Sequence, residues 1–346
     1  MLCALIMAGG KGTRFWPLST EKKPKQFLNL LGQDTMIQMA VKRLLPIIPM
    51  ERIFVVTSKE YVPILKEQLP NINNENIIVE PMGRNTAPCI ALSAFHINKR
   101  YKDATMIVVP SDHLIKKEDE FLEILKEGEK FIEEHKDAIA TIGIEPTRAE
   151  TGYGYIKYDK ELNDKIVKVE RFVEKPNLEK AEKYFKSGEY LWNSGMFMWK
   201  AENILKLVNR YLKNTYDILQ EIVNTKEEGY EESLEKNYPK VDNISVDFAI
   251  MEKTQNIYVI KADLAWDDVG SWKSIERYRE KDEDNNITLG SVKTLEGKNN
   301  IIIGNKKPIV LSGVEDIVLV ESDDMIFLGK KENIENLCKV RDLLEL

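Results

Sequence analysis

The feature that most constrains this 346-residue chain is a glycine-rich loop, Gly9-Gly10-Lys11-Gly12-Thr13-Arg14, that follows directly on an apolar N-terminal run. Three glycines at the end of a buried strand let backbone N–H groups approach phosphate oxygens without obstruction by Cβ atoms. No Gly-Lys-Ser/Thr closes the loop as in a P-loop, and Phe15 stands where the third glycine of a dinucleotide fingerprint belongs. Taken alone, the loop is equally readable as a phosphate cradle or as an ordinary glycine-rich turn.

Short β-branched runs at 2–8, 53–57, 77–80, 105–109 and 139–144 alternate with helical patterns, the signature of parallel strands joined by crossover helices. Ile37, Ala40, Val41 and Leu44 mark one amphipathic face and Ile90, Ala94, Ile97 and Tyr101 another. The pattern predicts a Rossmann-like, doubly wound α/β sheet. In such sheets ligands collect beyond the carboxyl ends of the strands, which directs attention to residues 9–19, 81–88 and 111–113. From Thr151 the texture becomes Gly/Tyr-rich strands and charged helices, read as an elaborated lid of the same domain. Beyond residue 282, short strands separated by Asn, Gly and Asp turns predict a small β-helix or β-roll. The expected division is therefore 1–281 and 282–346. A closing helix carrying Ile334, Leu337, Val340 and Leu344 is expected to cap the appendage or to meet a second subunit as a homodimer.

Bulk composition bounds the function. A formal net charge of -7 argues against a protein that coats nucleic acid or an acidic membrane, because that binding requires clustered excess Lys and Arg. No uncharged apolar run is long enough to span a bilayer. Residues 1–8 lack the basic flank of a signal peptide and read as a buried strand. Cys3, Cys89 and Cys338 are scattered among apolar neighbours, and are expected to be reduced packing residues of a cytoplasmic protein.

The loop continues as Phe15-Trp16-Pro17-Leu18-Ser19, and then as Pro24-Lys25-Gln26-Phe27, which puts Arg14 and Lys25 just outside the first strand. Further along stand Glu80-Pro81-Met82-Gly83-Arg84-Asn85-Thr86-Ala87-Pro88, Pro110-Ser111-Asp112-His113, Thr151-Gly152-Tyr153-Gly154-Tyr155-Ile156, Glu174-Lys175-Pro176, Trp192-Asn193-Ser194-Gly195-Met196-Phe197, Ser245-Val246-Asp247 and Trp266-Asp267-Asp268-Val269-Gly270. In this order, these strings resemble the mannose-1-phosphate guanylyltransferases, from the N-terminus to about Trp272.

The resemblance implies the mixed sheet of nucleotide-diphospho-sugar transferases, GTP and mannose 1-phosphate as substrates, and Mg²⁺ held by Asp112 and Asp268. It places Ala8, Gly9, Gly10, Gly12, Thr13, Arg14 and Lys25 on the nucleotide, with Asn85 and Thr86 as readers of the base and Asp112 beside it. Arg14, Lys25, Asp112 and Asp268 become the catalytic set. Glu174, Lys175, Asn193 and Gly152 fall on the sugar phosphate, with Lys175 on the phosphate and Glu174 on hydroxyls. Asn193 is expected to donate to and accept from vicinal hydroxyls. Arg84 is expected to neutralise phosphate or pair with an acid. His113 takes a positioning or structural role, because an already ionised nucleophile needs no general base. His96 and His135 carry no functional claim, and Trp192, Phe197 and Trp199 are expected in the core. The chain is expected to lack the C-terminal cupin domain of bifunctional relatives. Rival readings are a nucleotidyltransferase for another base or sugar and, less favoured, a noncatalytic subunit that binds sugar nucleotides.

Overall fold

The computed structural model describes every residue except Lys11, 161–163, 337–339 and 341–346. Cys338, Leu337 and Leu344 therefore lie outside the described residues, as does the lysine of the glycine loop. Contacts divide the chain into two compact units, one of Met1–Gly9 with Ala40–Trp266 and the other of Gly10–Met39 with Asp267–Leu346.

The first unit is built on a nine-stranded sheet. Its strands are β1 (Leu2–Met7), β2 (Ile53–Ser58), β3 (Ile77–Glu80), β4 (Thr105–Pro110), β6 (Ile139–Ile144), β7 (Tyr155–Tyr158), β8 (Ile166–Val173), β9 (Tyr190–Lys200) and β10 (Ile257–Ala262), with a two-residue β5 (Leu114–Ile115) outside the sheet. Their order is β3-β2-β1-β4-β9-β6-β10-β8-β7. The first four run parallel, and β9 enters antiparallel to both β4 and β6. The Gly/Tyr-rich segment after Thr151 thus contributes strands to the same sheet, with residues 151–154 forming the turn that precedes β7.

The helices, in chain order, are α1 (Met36–Leu44), α2 (Val62–Gln68), α3 (Thr86–Arg100), α4 (Glu118–Glu134), α5 (Leu178–Ser187), α6 (Ala201–Tyr211), α7 (Lys213–Asn224), α8 (Glu227–Asn237) and α9 (Trp272–Tyr278), the last preceded by a two-residue strand β11 (Trp266–Asp267). Both faces of the nine-stranded sheet are covered, which is why its strands read as continuous apolar runs. Leu5, Val56, Met106, Val108 and Trp199 share one core with residues of α3, α6 and α7. Phe197 and Trp199 belong to this core, and Trp192 is also buried. On the other face lies α4, so close that a Cβ on Gly128 would sit 2.5 Å from Met198 Sδ. Cys3 and Cys89 are free and buried. No helix among the described residues is long and apolar enough to cross a membrane.

The second unit contains a small β domain. In it β12 (Ile287–Leu289), β14 (Ile301–Ile303) and β16 (Ile317–Glu321) stack in parallel, with Ile287, Ile301 and Val318 in register. β13 (Val292–Leu295) and β15 (Ile309–Ser312) form a second parallel pair, while β17 (Ile326–Lys330) closes antiparallel on β16. A buried asparagine ladder ties successive layers together: Asn300 Nδ2 donates to Asn286 Oδ1 at 2.9 Å, and Asn300 Oδ1 accepts from the Ile317 N–H at 3.0 Å. Residues 331–336 form a 3-10 turn that buries Ile334.

The boundary drawn at 281 from texture does not coincide with these units. Residues 10–39 group with the C-terminal part because Phe15 meets Trp272 edge-on at 5.4 Å, Trp16 meets Phe327 at 5.9 Å, and Arg279 Nε donates to the Leu30 carbonyl at 2.8 Å.

Candidate active site

In the first unit, the chain leaves β1 at the place where the strand order reverses, between β2 and β4. There the Ser111 N–H donates to the Met7 carbonyl at 3.1 Å, which sets Asp112 beside the end of β1. Ala8 is held on its other side, its N–H donating to Val56 O at 2.8 Å and its carbonyl accepting from Thr57 Oγ1 at 2.9 Å. A Cβ on Gly9 would lie 3.3 Å from Glu80 Oε2. Glu80 is only 4% exposed, and burial pushes its carboxyl up to about 7, against the opposing pull of hydrogen bonds from Tyr238 and Cys89.

Asn85 caps α3 with a φ of 65°, its Oδ1 accepting from the Thr86 N–H at 2.9 Å. The Thr86 hydroxyl accepts from the Val246 N–H at 2.9 Å, so it anchors the helix start to the 245–247 segment. Arg84 donates to the Pro239 carbonyl, not to an acid. Asp112 is a third exposed, with Oδ1 4.0 Å from His113 Nε2. The indole N–H of Trp266 donates to His113 Nδ1 at 3.2 Å, an arrangement that puts the proton of a neutral His113 on Nε2. His113 is thereby oriented by its neighbours.

In the second unit, Gly12 has a φ of 49°, and a Cβ there would fall 2.7 Å from the Lys25 nitrogen. Only glycine satisfies both conditions. Gln26 Nε2 donates to the Gly10 carbonyl at 3.0 Å, and the buried Lys25 donates to the Asp268 carbonyl. Lys25 and Asp268 are thus brought together, whereas Arg14 is exposed and Thr13 half-buried. Asp268 Oδ1 accepts from the Gly270 N–H at 3.1 Å. The turn is fixed from below by Asp267, 1% exposed, which accepts from Val269 N, Arg277 and the Tyr278 hydroxyl.

A second side-chain cluster lies within the first unit. Asn193 on β9 donates through Nδ2 to Asp247 Oδ1 at 2.9 Å, and its Oδ1 accepts from the Gly195 N–H at 3.0 Å. Glu174 pairs with Lys175 at 3.3 Å, with the lysine largely exposed on a backbone of φ 35°. A Cβ on Gly154 would lie 2.9 Å from Glu174 Oε2 and 3.4 Å from Asn193 Cβ. Gly152 instead donates its N–H to Glu150 Oε1 at 3.0 Å, and a Cβ there would meet only Glu150. Of these two glycines it is Gly154 that abuts Glu174 and Asn193. Asp247 is half-buried, and its partial withdrawal from water raises its carboxyl above the usual value; the Asn193 bond opposes this and the Glu174 charge reinforces it.

Glu80, Gly154, Asp247 and Asp267 receive no role from the sequence alone, although all four lie inside the strings quoted above. The Gly-Tyr-Gly spacing is the one available signal for Gly154; nothing local distinguishes the half-buried, Asn193-bonded Asp247 from a helix cap. Among the described residues, no group of three or more His, Cys, Asp or Glu side chains is arranged to hold a metal.

A parallel run with a glycine loop at its switch point defines an α/β protein built to receive a phosphorylated ligand. The Nucleotidyl transferase family profile matches residues 3–285, so the chain belongs to that family. It is 37% identical over 358 residues to mannose-1-phosphate guanylyltransferase 2 of Escherichia coli O157:H7, an alignment covering 100% of this chain and 74% of that protein. A mannose-1-phosphate guanylyltransferase of Klebsiella pneumoniae is 37% identical over 352 residues with the same coverage. Among solved structures, one from Thermus thermophilus described as a mannose-1-phosphate geranyltransferase superposes with a TM-score of 0.87 at 29% identity, covering 100% of this chain and 99% of that one.

Proposed function

We propose that the chain transfers GMP from GTP to mannose 1-phosphate, releasing pyrophosphate and forming GDP-mannose. The observation that carries this reading is the full-length similarity to guanylyltransferases, joined to a glycine loop closed around Lys25. A mannose 1-phosphate oxygen attacks the α-phosphorus in line, with no covalent enzyme intermediate. Both reactants are anionic, so the protein's tasks are alignment and charge compensation. Arg14, Lys25 and the amides of Gly9, Gly10, Gly12 and Thr13 hold the triphosphate, with Ala8, Asn85 and Thr86 on the nucleoside. Glu174, Lys175 and Asn193 hold the sugar phosphate, and Gly154 replaces Gly152 as the glycine of close approach.

Asp112, a third exposed, and Asp268, anchored through Oδ1 by the Gly270 N–H, offer hard carboxylate oxygens of the kind a divalent cation takes. The reading assigns them Mg²⁺, which when bound supplies charge neutralisation on the reacting phosphates. The parallel layers and asparagine ladder of the C-terminal domain support a β-helix coil. A homodimer through that domain and a cytoplasmic site of action complete the proposal. A rival base or sugar specificity is separated by measuring pyrophosphate release with GTP, dTTP, UTP and ATP against several sugar 1-phosphates. Fastest turnover with GTP and mannose 1-phosphate is the expected result; a preference for another pair reassigns the substrates, and no release with any pair favours a noncatalytic role.

A further inference from the structure

Asn193 is locked before any sugar arrives. Its amide oxygen accepts from the Gly195 N–H at 3.0 Å and one amide N–H donates to Asp247 Oδ1 at 2.9 Å. Without Asp247, the Gly195 N–H is the one side of the amide's clamp that remains, and a flip forfeits that bond alone. With it, both ends of the amide are held, the oxygen on Gly195 and one N–H on Asp247, and the second N–H meets no partner among the described residues. The held amide therefore offers its second N–H as a donor, while its oxygen keeps one lone pair beyond the Gly195 bond. The acceptor beside it is Glu174, whose Oε2 and Asn193 Nδ2 lie 2.9 and 3.6 Å from the position a Cβ on Gly154 would occupy.

Independent geometry explains how Asp247 reaches this position. It opens a π-helical turn, Asp247–Met251, a widened turn often found at functional sites. At the start of this turn the half-buried Asp247 bonds Asn193, while Phe248, next in sequence, is 48% exposed. Phe248 and Glu174 both line a cavity of about 870 Å³ beside β8.

We infer that Asp247 is a positioning residue of the sugar half-site, fixing the Asn193 amide so that it presents a single N–H donor next to the Glu174 acceptor. The inference rests on the sugar-phosphate reading above and adds a residue to it. The side chain Asp247 bonds is Asn193, which the reading places on the sugar, so its loss should act on sugar-side affinity and leave the nucleotide side alone.

The test compares Asp247→Ala, Asp247→Asn, Asn193→Ala and the double variant Asp247→Ala/Asn193→Ala, measuring KM for mannose 1-phosphate and for GTP separately. Asp247→Ala should raise KM for mannose 1-phosphate about tenfold, the scale of one charge-assisted hydrogen bond, with KM for GTP within about twofold of the parent. Asp247→Asn retains an acceptor oxygen and should restore most of the loss. The double variant should be no worse than Asn193→Ala alone, because both changes remove one interaction. Equal rises in both KM values, penalties that multiply in the double variant, or no rescue by asparagine would overturn the positioning role. Should Asp247→Ala fail to fold, Asp247→Asn against Asn193→Ala still decides: an asparagine variant as impaired as Asn193→Ala rejects the inference. Absence of mannose 1-phosphate turnover in the unmodified enzyme, with another sugar 1-phosphate accepted, corrects the substrate while the same KM split is read with that sugar. No turnover and no binding of any sugar 1-phosphate sinks both the reading and the inference.

Discussion

The glycine loop and the Asn193 cluster, each proposed above to hold an anionic substrate, are built by opposite means. The loop works through backbone: Gly12 takes a left-handed conformation with Lys25 packed under it, and Gln26 secures the Gly10 carbonyl. The Asn193 cluster is made of side chains: Glu174 and Asn193 stand beside Gly154, and Asp247 accepts from the Asn193 amide. Backbone cradles tolerate no added Cβ but need few side-chain partners, whereas a side-chain cluster is specific only while every member is in place.

Several measurements sharpen or break this contrast. The largest expected effect is at the end of β4, where Asp112→Asn should lower turnover about a hundredfold or more if one positioned charge is lost; near-normal turnover at saturating Mg²⁺ rejects the assignment.

Glu80 is a buried side chain beneath Gly9, and it makes this end of the loop sensitive to pH. Its carboxyl titrates at about 7 in the fold, against 4.5 for the free group. The native state keeps a proton that the unfolded chain releases, so this contribution is complete below pH 4.5 and is lost as pH rises through 7, to the extent of about 3 kcal/mol. The stability difference between the parent and Glu80→Gln, followed by denaturant unfolding, should shift against the parent across that window, and a flat difference would show an ionised native Glu80.

On the sugar side, Gly154→Ala should reduce kcat/KM for mannose 1-phosphate about thirtyfold, as the new Cβ displaces the Glu174 carboxylate. Unchanged kcat/KM would mean that the cluster relaxes freely. Lys175→Ala should raise KM for the sugar phosphate about tenfold, and an unaltered KM removes the lysine from the site. Smallest of all, Gly152→Ala should change either KM by less than about threefold, since only the Glu150 side chain must yield; a large effect would return the close approach to Gly152.

The strands β1 to β4 and β6 were legible in the sequence to within a residue or so, because burial on both faces writes each as an uninterrupted β-branched run. Of the C-terminal strands, β14 to β17 were legible from their turns, whereas β12 and β13 were not. The division between units was not, since the contacts of Phe15 with Trp272 and Arg279 with Leu30 join segments some 250 residues apart. No local pattern records such packing.

By itself the sequence determined the α/β architecture, the glycine loop and the strings that mark the family, all of which are properties of short contiguous segments. Tertiary structure alone decided that Gly154 and not Gly152 abuts Glu174, that the Thr86 hydroxyl accepts from the Val246 N–H, and that Asp247 holds one N–H of the Asn193 amide. The reason is physical: backbone conformation is biased by neighbouring residues, whereas the role of a hydrogen-bonding side chain depends on which of its donors and acceptors the folded chain has already occupied.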